Sequence, residues 1–397
     1  MTRLPASLMD PEAITRTLLP FGASRGLPRE AYDSTDVLRW ELHRLFDDAW
    51  VCVGRADELA EPGCQRAIRA GGEGLLLVRD GCGEVRGFSN VCRHRAHELV
   101  QIGECARGPQ IRCPYHGWAY DLTGKHRGGR DHAHEDLVPL RVEVWRGFVF
   151  TNVSGTAGPL SEWLGALDEL AADHQLGRLQ IAATHTYELA ANWKLVIENY
   201  HECYHCPQIH PQLCKVSPPS SGQNFDRPGA WVGGPMELMP HAETMALDGR
   251  SRGCMLPGLS AEQTRRVYYY GLCPNLLISL HPDYVLTHRI EPIGPDRTRI
   301  ECQWLFPPET LALPAFSPAY AVDFWDVTNK QDWHAIESVQ RGILSRGYIP
   351  GTFTPRERAV YEFVTRVARA YESGGWTRPG PLPAPRPSSR PLPAARA

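Results

Sequence analysis

Residues 92–94 read Cys-Arg-His and residues 113–116 read Cys-Pro-Tyr-His, with eighteen residues between the two words. Each word carries one thiol and one imidazole. Two such loops can hold tetrahedral zinc, or a [2Fe–2S] cluster with both Cys on one iron and both His on the other. Zinc modules usually open with two cysteines and close with two histidines, whereas here each half holds one donor of each kind. That division suits a cluster straddled by two similar loops. Imidazole ligands bring less negative charge than thiolates and raise the cluster potential toward that of an electron relay. Cys92, His94, Cys113 and His116 are therefore the first candidate ligands.

The surroundings of these words read as a small antiparallel β unit. Short apolar runs at 74–78, 84–91, 111–120 and 140–153 are separated by Gly, Pro and Asp. Upstream, residues 1–47 begin as Pro- and Gly-punctuated coil, and Leu38, Leu42 and Leu45 at helical spacing predict a helix near 35–47. Downstream, residues 158–376 are mixed. Helical periodicity marks 160–176, 190–204 and 321–344, and strands are expected at 267–280 and 284–306. In the last of these, Ile300, Cys302, Trp304 and Phe306 alternate after the turn Gly294-Pro295-Asp296. The Pro/Ala/Arg/Ser-rich segment 377–397 has almost no bulky apolar residue and is expected to be a disordered tail. The division is thus 1–47 arm and helix, 48–157 cluster domain, 158–376 second domain and 377–397 tail.

Composition narrows the function classes. The chain has 397 residues, with 42 Lys+Arg against 45 Asp+Glu for a net charge of −3, so no field of either sign points to nucleic acid or an anionic membrane as partner. Residues 1–26 lack the apolar core of a signal peptide, and no window approaches the roughly 18 apolar residues of a membrane span. A cytoplasmic protein is expected. Its twelve cysteines should then be reduced, and their clustering with sixteen histidines points to metal rather than a disulfide framework.

A second constellation follows at 201–205, His-Glu-Cys-Tyr-His. As H-E-x-x-H it would place His201 and His205 one helical turn apart on zinc, with Glu202 as base. The same stretch holds Cys203-x-x-Cys206, a formal redox motif. In the wider segment, Trp193, Ile197, Tyr200 and Tyr204 share one helical stripe, and Glu198, Glu202 and His205 a neighbouring face. Pro207 should stop that helix. His210 falls on the exit turn, so His205 and His210 can hold two corners of a ferrous site. The third corner needs a carboxylate, completing a 2-His-1-carboxylate triad with positions open to O2. Asp332 sits on an otherwise apolar stripe with Ile336, Val339 and Ile343, and a buried carboxylate is costly unless paired or metal-bound. Asp326 and Asp323 are the alternatives.

The words Cys92-Arg-His94-Arg and Cys113-Pro-Tyr-His116-Gly-Trp-Ala-Tyr-Asp-Leu-Thr-Gly resemble the Rieske domain of Rieske non-haem iron oxygenases. Residues 192–211 resemble the catalytic-domain signature of the same family, E-N-x-x-E-x-Y-H-x4-H-P, and the likeness runs from about Leu27 to Trp376. Ala96 departs from the pattern, standing where the first loop usually has Gly. The resemblance implies an α+β fold: a small antiparallel β Rieske domain, then a larger catalytic domain whose central antiparallel sheet is flanked by helices in a helix-grip-like arrangement. It implies that Cys92, His94, Cys113 and His116 hold the cluster, and that His205, His210 and Asp332 hold Fe(II). Glu202 matches the acidic bridge between a cluster His and an iron His across a subunit boundary, which implies a homotrimer. Electrons would come from NAD(P)H through a separate flavin/iron–sulfur reductase or ferredoxin, since no dinucleotide or flavin fingerprint is evident.

Within that family, Glu202 in place of Asp and the word Glu198-Asn-Tyr-His-Glu-Cys-Tyr-His-Cys-Pro look like the branch acting on quaternary ammonium compounds. The implied reaction is N-demethylation of glycine betaine or a related betaine, with formaldehyde release. A quaternary ammonium donates no hydrogen bond and is held by aromatic faces. Trp231, Tyr268, Tyr269, Tyr270, Trp304, Phe324 and Trp325 are available, but each reads more readily as core, so none is assigned to the site. The alternatives are the same machinery acting on an aromatic or biosynthetic substrate, a non-catalytic Fe–S electron-transfer protein, and a zinc hydrolase using His201, Glu202 and His205.

Overall fold

The computed structural model describes residues 3–128 and 135–376; the Pro-rich segment 377–397, expected to be a disordered tail, lies outside them. The helix expected at 35–47 is present as α1 (Thr35–Glu41), capped by Ser34 and continued by a wider turn over Leu42–Asp47. Nine strands follow: β1 (Val51–Arg55), β2 (Cys64–Ala70), β3 (Glu73–Arg79), β4 (Val85–Ser89), β5 (Cys105–Arg107), β6 (Ile111–Arg112), β7 (Ala119–Tyr120), β8 (Pro139–Trp145) and β9 (Phe148–Asn152). Seven of them form one antiparallel sheet in the order β1-β9-β8-β4-β3-β2-β5, and β6 and β7 form a separate short ribbon. The run expected as one strand over 111–120 is therefore two two-residue strands, split by the Cys-Pro-Tyr-His loop between them.

The second sheet has six antiparallel strands. They are β10 (Gln180–Leu189), β11 (Trp231–Glu237), β12 (Arg266–Leu272), β13 (Leu276–Leu280), β14 (Val285–Gly294) and β15 (Arg297–Phe306), in the order β10-β15-β14-β13-β12-β11. The Gly294-Pro295-Asp296 turn closes the β14–β15 hairpin as read from sequence, with Ile290 opposite Ile300. Strand 267–280, expected as one piece, is broken at Cys273-Pro274-Asn275 because Pro274 has no N–H to give a ladder. The helix expected at 160–176 is also broken. Gly165 lies at φ +52, and a Cβ there would meet the Pro228 carbonyl oxygen at 2.4 Å, so the segment turns and continues as short helical pieces.

Four helices complete the part that bears on chemistry: α2 (Trp193–Tyr200), α3 (Cys206–Ile209), α4 (Pro211–Val216) and α5 (Ala319–Ile343). A last helix, α6 (Arg358–Ser373), packs against α2 and β11. Asn192 is the junction. Its side chain caps α2 by accepting from the Lys194 N–H at 3.0 Å, it donates to the Pro295 carbonyl at 2.7 Å, and its own N–H donates to Gln340 of α5 at 2.9 Å. Helix α2 is also tied to α1 by a fully buried ion pair: Lys194 Nζ donates to both Glu41 oxygens at 2.7 and 3.0 Å, and Trp193 Nε1 donates to Glu41 at 2.9 Å. Tyr371 of α6 donates to the same carboxylate. Such a pair contributes little net, yet losing one partner strands a buried charge at about 3–5 kcal/mol.

Candidate metal centres

The two Cys/His words occupy two loops with one hydrogen-bond plan. In the first, the Cys92 N–H donates to the His97 carbonyl at 2.8 Å, and the Ala96 N–H donates back to the Cys92 carbonyl at 3.1 Å. In the second, the Cys113 N–H donates to the Trp118 carbonyl at 2.8 Å, and the Gly117 N–H to the Cys113 carbonyl at 3.1 Å. Closing each loop this way forces the fourth residue after Cys left-handed: Gly117 has φ +74 and Ala96 φ +57. The departure at Ala96 therefore leaves the loop intact at a conformational cost of about 1 kcal/mol. The thiols point inward, Cys92 and Cys113 being buried, while His94 and His116 are exposed. The two imidazoles lie 4.6 Å apart, and Trp118 stacks on His94. Tyr120 braces the first loop through its hydroxyl, which accepts from the Arg93 N–H at 3.0 Å and lies 3.3 Å from Cys92 Sγ. Two inward thiols and two outward imidazoles on matched loops fit the donor set of a Rieske cluster.

The second constellation is not on one helix. Helix α2 stops at Tyr200, and residues 201–205 turn out of it, so Glu198, Glu202 and His205 do not share a face and Tyr204 is exposed rather than on a buried stripe. Pro207 does not end a helix; it sits in the first turn of α3, where a missing N–H costs nothing. His205 is the N-cap of α3, and His210 stands between α3 and α4, on the turn where the sequence put it. His201 packs against Gly271, and burial holds its imidazole down at about 3. It does not share a helical turn with His205, which removes the geometry of the zinc-hydrolase reading.

Asp332, on α5, closes the group. Its Oδ1 lies 2.9 Å from His210 Nε2 and 3.4 Å from His205 Nε2, and the two Nε2 atoms are 3.2 Å apart. Donors at about 2.1 Å from one metal and at right angles stand about 3.0 Å apart, so these three fit a single ion. Asp326 does not compete, since it binds Tyr187 and Lys330, and Asp323 is exposed. The apolar stripe around Asp332 is only partial, because Val339 is half exposed while Ile336 and Ile343 are buried.

Partners on the far sides of the imidazoles set their direction. His205 Nδ1 bonds Glu202 Oε1, and His210 Nδ1 lies 2.8 Å from Gln331 Oε1. With Nδ1–H donating in both rings, both Nε2 lone pairs are aimed at the Asp332 side. Burial would push His205 down, but Asp332 and Glu202 overcome it and raise the imidazole to about 9. With Glu202 on one side of the ring and Asp332 on the other, the site is locally negative, which favours a cation. Gln331 was not visible from sequence: a neutral amide beside Asp332 carries no pattern of its own.

Two further facts were not anticipated. Cys203 and Cys206 form a disulfide, with Cα atoms 4.9 Å apart, where reduced thiols were expected throughout; the other ten cysteines are free. Closure needs only that the turn after α2 bring the two residues within bonding reach, which lies inside the usual Cα range. Cys206 Sγ also lies within 4.8 Å of the His205 and His210 donor nitrogens, making it a rival to Asp332 on distance. The bonded sulfur has no thiolate to offer, which leaves Asp332, with its Oδ1 2.9 and 3.4 Å from the two imidazole nitrogens, as the candidate third donor in this state.

The donors open into a cavity of about 480 Å³. Tyr200, Tyr269, Trp325 and Trp333 are among the residues lining it, and Arg356 is exposed on the lining with its guanidinium 5.8 Å from the Tyr204 ring. Of the aromatic residues considered from sequence, only Tyr269 and Trp325 line it; Trp231, Tyr268, Tyr270, Trp304 and Phe324 pack in the cores. Behind the wall, Glu198 receives the Tyr32 hydroxyl at 2.8 Å, and burial pushes its carboxyl up to about 7 against the pull of Tyr32 and Lys194. Among the described residues, no helix is long and apolar enough to cross a membrane.

Comparison with known proteins agrees with this layout. The family model for the Rieske [2Fe-2S] domain matches residues 49–143, and that for the ring hydroxylating alpha subunit (catalytic domain) matches residues 176–373. The chain is similar to the glycine betaine monooxygenase oxygenase subunit of Chromohalobacter salexigens, at 27% identity over 374 residues covering 85% of this chain and 82% of that one. It is also similar to the carnitine monooxygenase oxygenase subunit of Escherichia coli K12, at 29% identity over 341 residues covering 81% and 85%. Among solved structures, a quaternary ammonium Rieske monooxygenase in complex with L-carnitine superposes with a TM-score of 0.73 at 25% identity, covering 94% of this chain and 100% of that one.

Proposed function

The chain belongs to the family of Rieske oxygenase alpha subunits, homologous to glycine betaine, carnitine and choline monooxygenases, and from that premise we propose that it N-demethylates a quaternary ammonium carboxylate, glycine betaine or a related betaine. The observation that carries the proposal is the shared cavity, whose lining combines the three donors with Tyr269, Trp325 and the Arg356 guanidinium. Aromatic rings hold a cation that cannot donate hydrogen bonds, and Arg356 suits a carboxylate.

In this reading Cys92, His94, Cys113 and His116 hold the [2Fe–2S] cluster, and His205, His210 and Asp332 hold Fe(II). When bound, the two centres supply single electrons and O2 activation. The chain's own part is positional. Glu202 and Gln331 fix the two imidazole tautomers, and Tyr269 and Trp325 face the substrate's methyl groups toward the donors. Hydroxylation of an N-methyl carbon by O2, two electrons and two protons yields water and a hemiaminal, which breaks down to formaldehyde and the demethylated amine. The electrons come from a separate NAD(P)H-dependent reductase or ferredoxin, and the protein works in the cytoplasm. The exposed His94 and His116 suit a cluster edge covered by a neighbouring subunit, with Glu202 bridging to it in a homotrimer. We divide the chain accordingly at 48–157 and 158–376.

The test is formaldehyde release by iron-loaded protein with a surrogate reductase, NADH and O2, offering glycine betaine, proline betaine, carnitine and choline separately. Formaldehyde stoichiometric with O2 for one carboxylate-bearing substrate is expected. Choline is followed by its aldehyde as well. No product from any of the four, with a reducible cluster verified in the same sample, would move the substrate to the aromatic or biosynthetic class.

A further inference from the structure

The Cys203–Cys206 bond has no part in the reading above, yet it brackets His205 and lies in the wall of the same cavity. We propose that Cys203 and Cys206 form a reversible thiol–disulfide site, and that its reduced form supplies Cys206 as an additional donor to the mononuclear metal centre. The inference rests on the metal site proposed above, not on the substrate.

Three observations carry it. The two cysteines are three residues apart and already bonded, so closure is intramolecular and needs no movement of the fold. Both line the cavity, so small oxidants and thiols that enter with substrate can reach them. Cys206 Sγ and a ring nitrogen of each of His205 and His210 lie within 4.8 Å of one another, so the thiol stands beside the imidazole donors. Of the remaining ten free cysteines, Cys82 and Cys105 are exposed but lie near no such donor group. Intramolecular disulfides in reducing compartments are usually redox-active rather than structural.

The chemistry balances with hydrogen peroxide as oxidant. One thiol sulfur attacks a peroxide oxygen and releases water, giving a sulfenic acid; the second thiol attacks that sulfur and releases a second water. Two thiols and one peroxide thus become one disulfide and two waters. A dithiol reductant reverses the step by exchange, itself leaving as a disulfide. In the oxidised state the sulfur is tied to Cys203 and the centre keeps two imidazoles and Asp332. In the reduced state a soft donor can take a position otherwise open.

The experiment uses protein that retains its cluster, with the mononuclear iron replaced by Co(II). Cobalt-edge X-ray absorption then sees that site alone, unaffected by Cys92 and Cys113 on the iron cluster. A sulfur shell at about 2.3 Å is expected in dithiol-reduced wild type and in Cys203→Ser, whose Cys206 cannot be tied up. It should be lost in peroxide-treated wild type and in reduced Cys206→Ser. Alkylation and mass spectrometry should find Cys203 and Cys206 protected after peroxide and released by dithiol, with Cys82 and Cys105 reactive in both states. A cobalt shell of nitrogen and oxygen only, in reduced Cys203→Ser, would overturn the donor role while leaving the metal site standing. Imidazole scattering absent from every sample would instead overturn the metal site itself. Equal alkylation of the pair before and after peroxide would overturn the redox site.

Discussion

The two candidate centres are built on opposite principles. The cluster loops are local and duplicated: each closes on its own cysteine through the same pair of backbone hydrogen bonds, and β6 and β7 merely hold the second one in place. The second centre is assembled. His205 and His210 come from the turns around α3, whereas Asp332 arrives from α5, 122 residues beyond His210. A local site depends on turn chemistry; an assembled one depends on every contact that holds its pieces in register. Asn192 makes this concrete, because one side chain and one N–H tie α2, the β14–β15 turn and α5 together just upstream of the histidines.

The strongest way to break the comparison is Asp332→Ala. It should empty the mononuclear site of iron and abolish turnover while the cluster's absorption spectrum survives, measured by iron content and visible spectroscopy on one sample. Retained iron at His205 and His210 would mean that the site is less interdependent than its geometry says.

Glu202→Gln asks how far the assembled site leans on its outer contacts. The amide keeps an acceptor for His205 Nδ1 but removes the charge behind it. Both metal centres should remain, and turnover should fall about 10–100-fold, with slowed oxidation of the reduced cluster in stopped flow. Wild-type single-turnover kinetics would remove Glu202 from the electron path.

Glu198 supports only the second region, so its titration separates the two. Its carboxyl is raised from 4.5 to about 7, so the folded state holds the proton more firmly than the unfolded chain. That stabilisation is complete below about pH 4.5 and is lost as pH rises through about 7, a change of roughly 3 kcal/mol. Glu198→Gln should flatten the fall in urea midpoint between about pH 5 and pH 8. An unchanged difference between the two pH values would mean that Glu198 is ionised when folded.

The smallest effect tests the duplicated loops. Ala96→Gly relieves a left-handed alanine and should stabilise the fold by about 1 kcal/mol, and Gly117→Ala should cost about as much. A Cβ at 117 meets nothing nearer than the Arg112 guanidinium at 3.9 Å, so the backbone angle alone is under test. A loss of melting temperature in Ala96→Gly would show that the two loops are not equivalent.

Legibility in the sequence followed the same divide. All four cluster candidates lie within 25 residues of one another, so spacing and loop chemistry were enough to nominate them. The β14–β15 hairpin was legible too, because its turn and its alternation are local signals. The helix expected over 190–204 was not, since periodicity persists in residues 201–204 although the chain has already turned out of α2. Asp332 was nominated by the cost of burying a carboxylate, and the structure places it beside His205 and His210 although Val339 is half exposed.

By itself, then, the sequence determined which residue types are present at metal-binding spacing, where the short strands and their turns fall, and that the charge balance leaves no highly charged surface to explain. Those are properties of neighbours along the chain. Tertiary structure alone decided that Asp332 rather than Asp326 meets the two imidazoles, that Gln331 orients one of them, and that Cys203 and Cys206 close on each other beside them. Each of these depends on where two distant or turned segments come to rest, and that is set by the packing of α2, α3 and α5 on the second sheet, which no local pattern encodes.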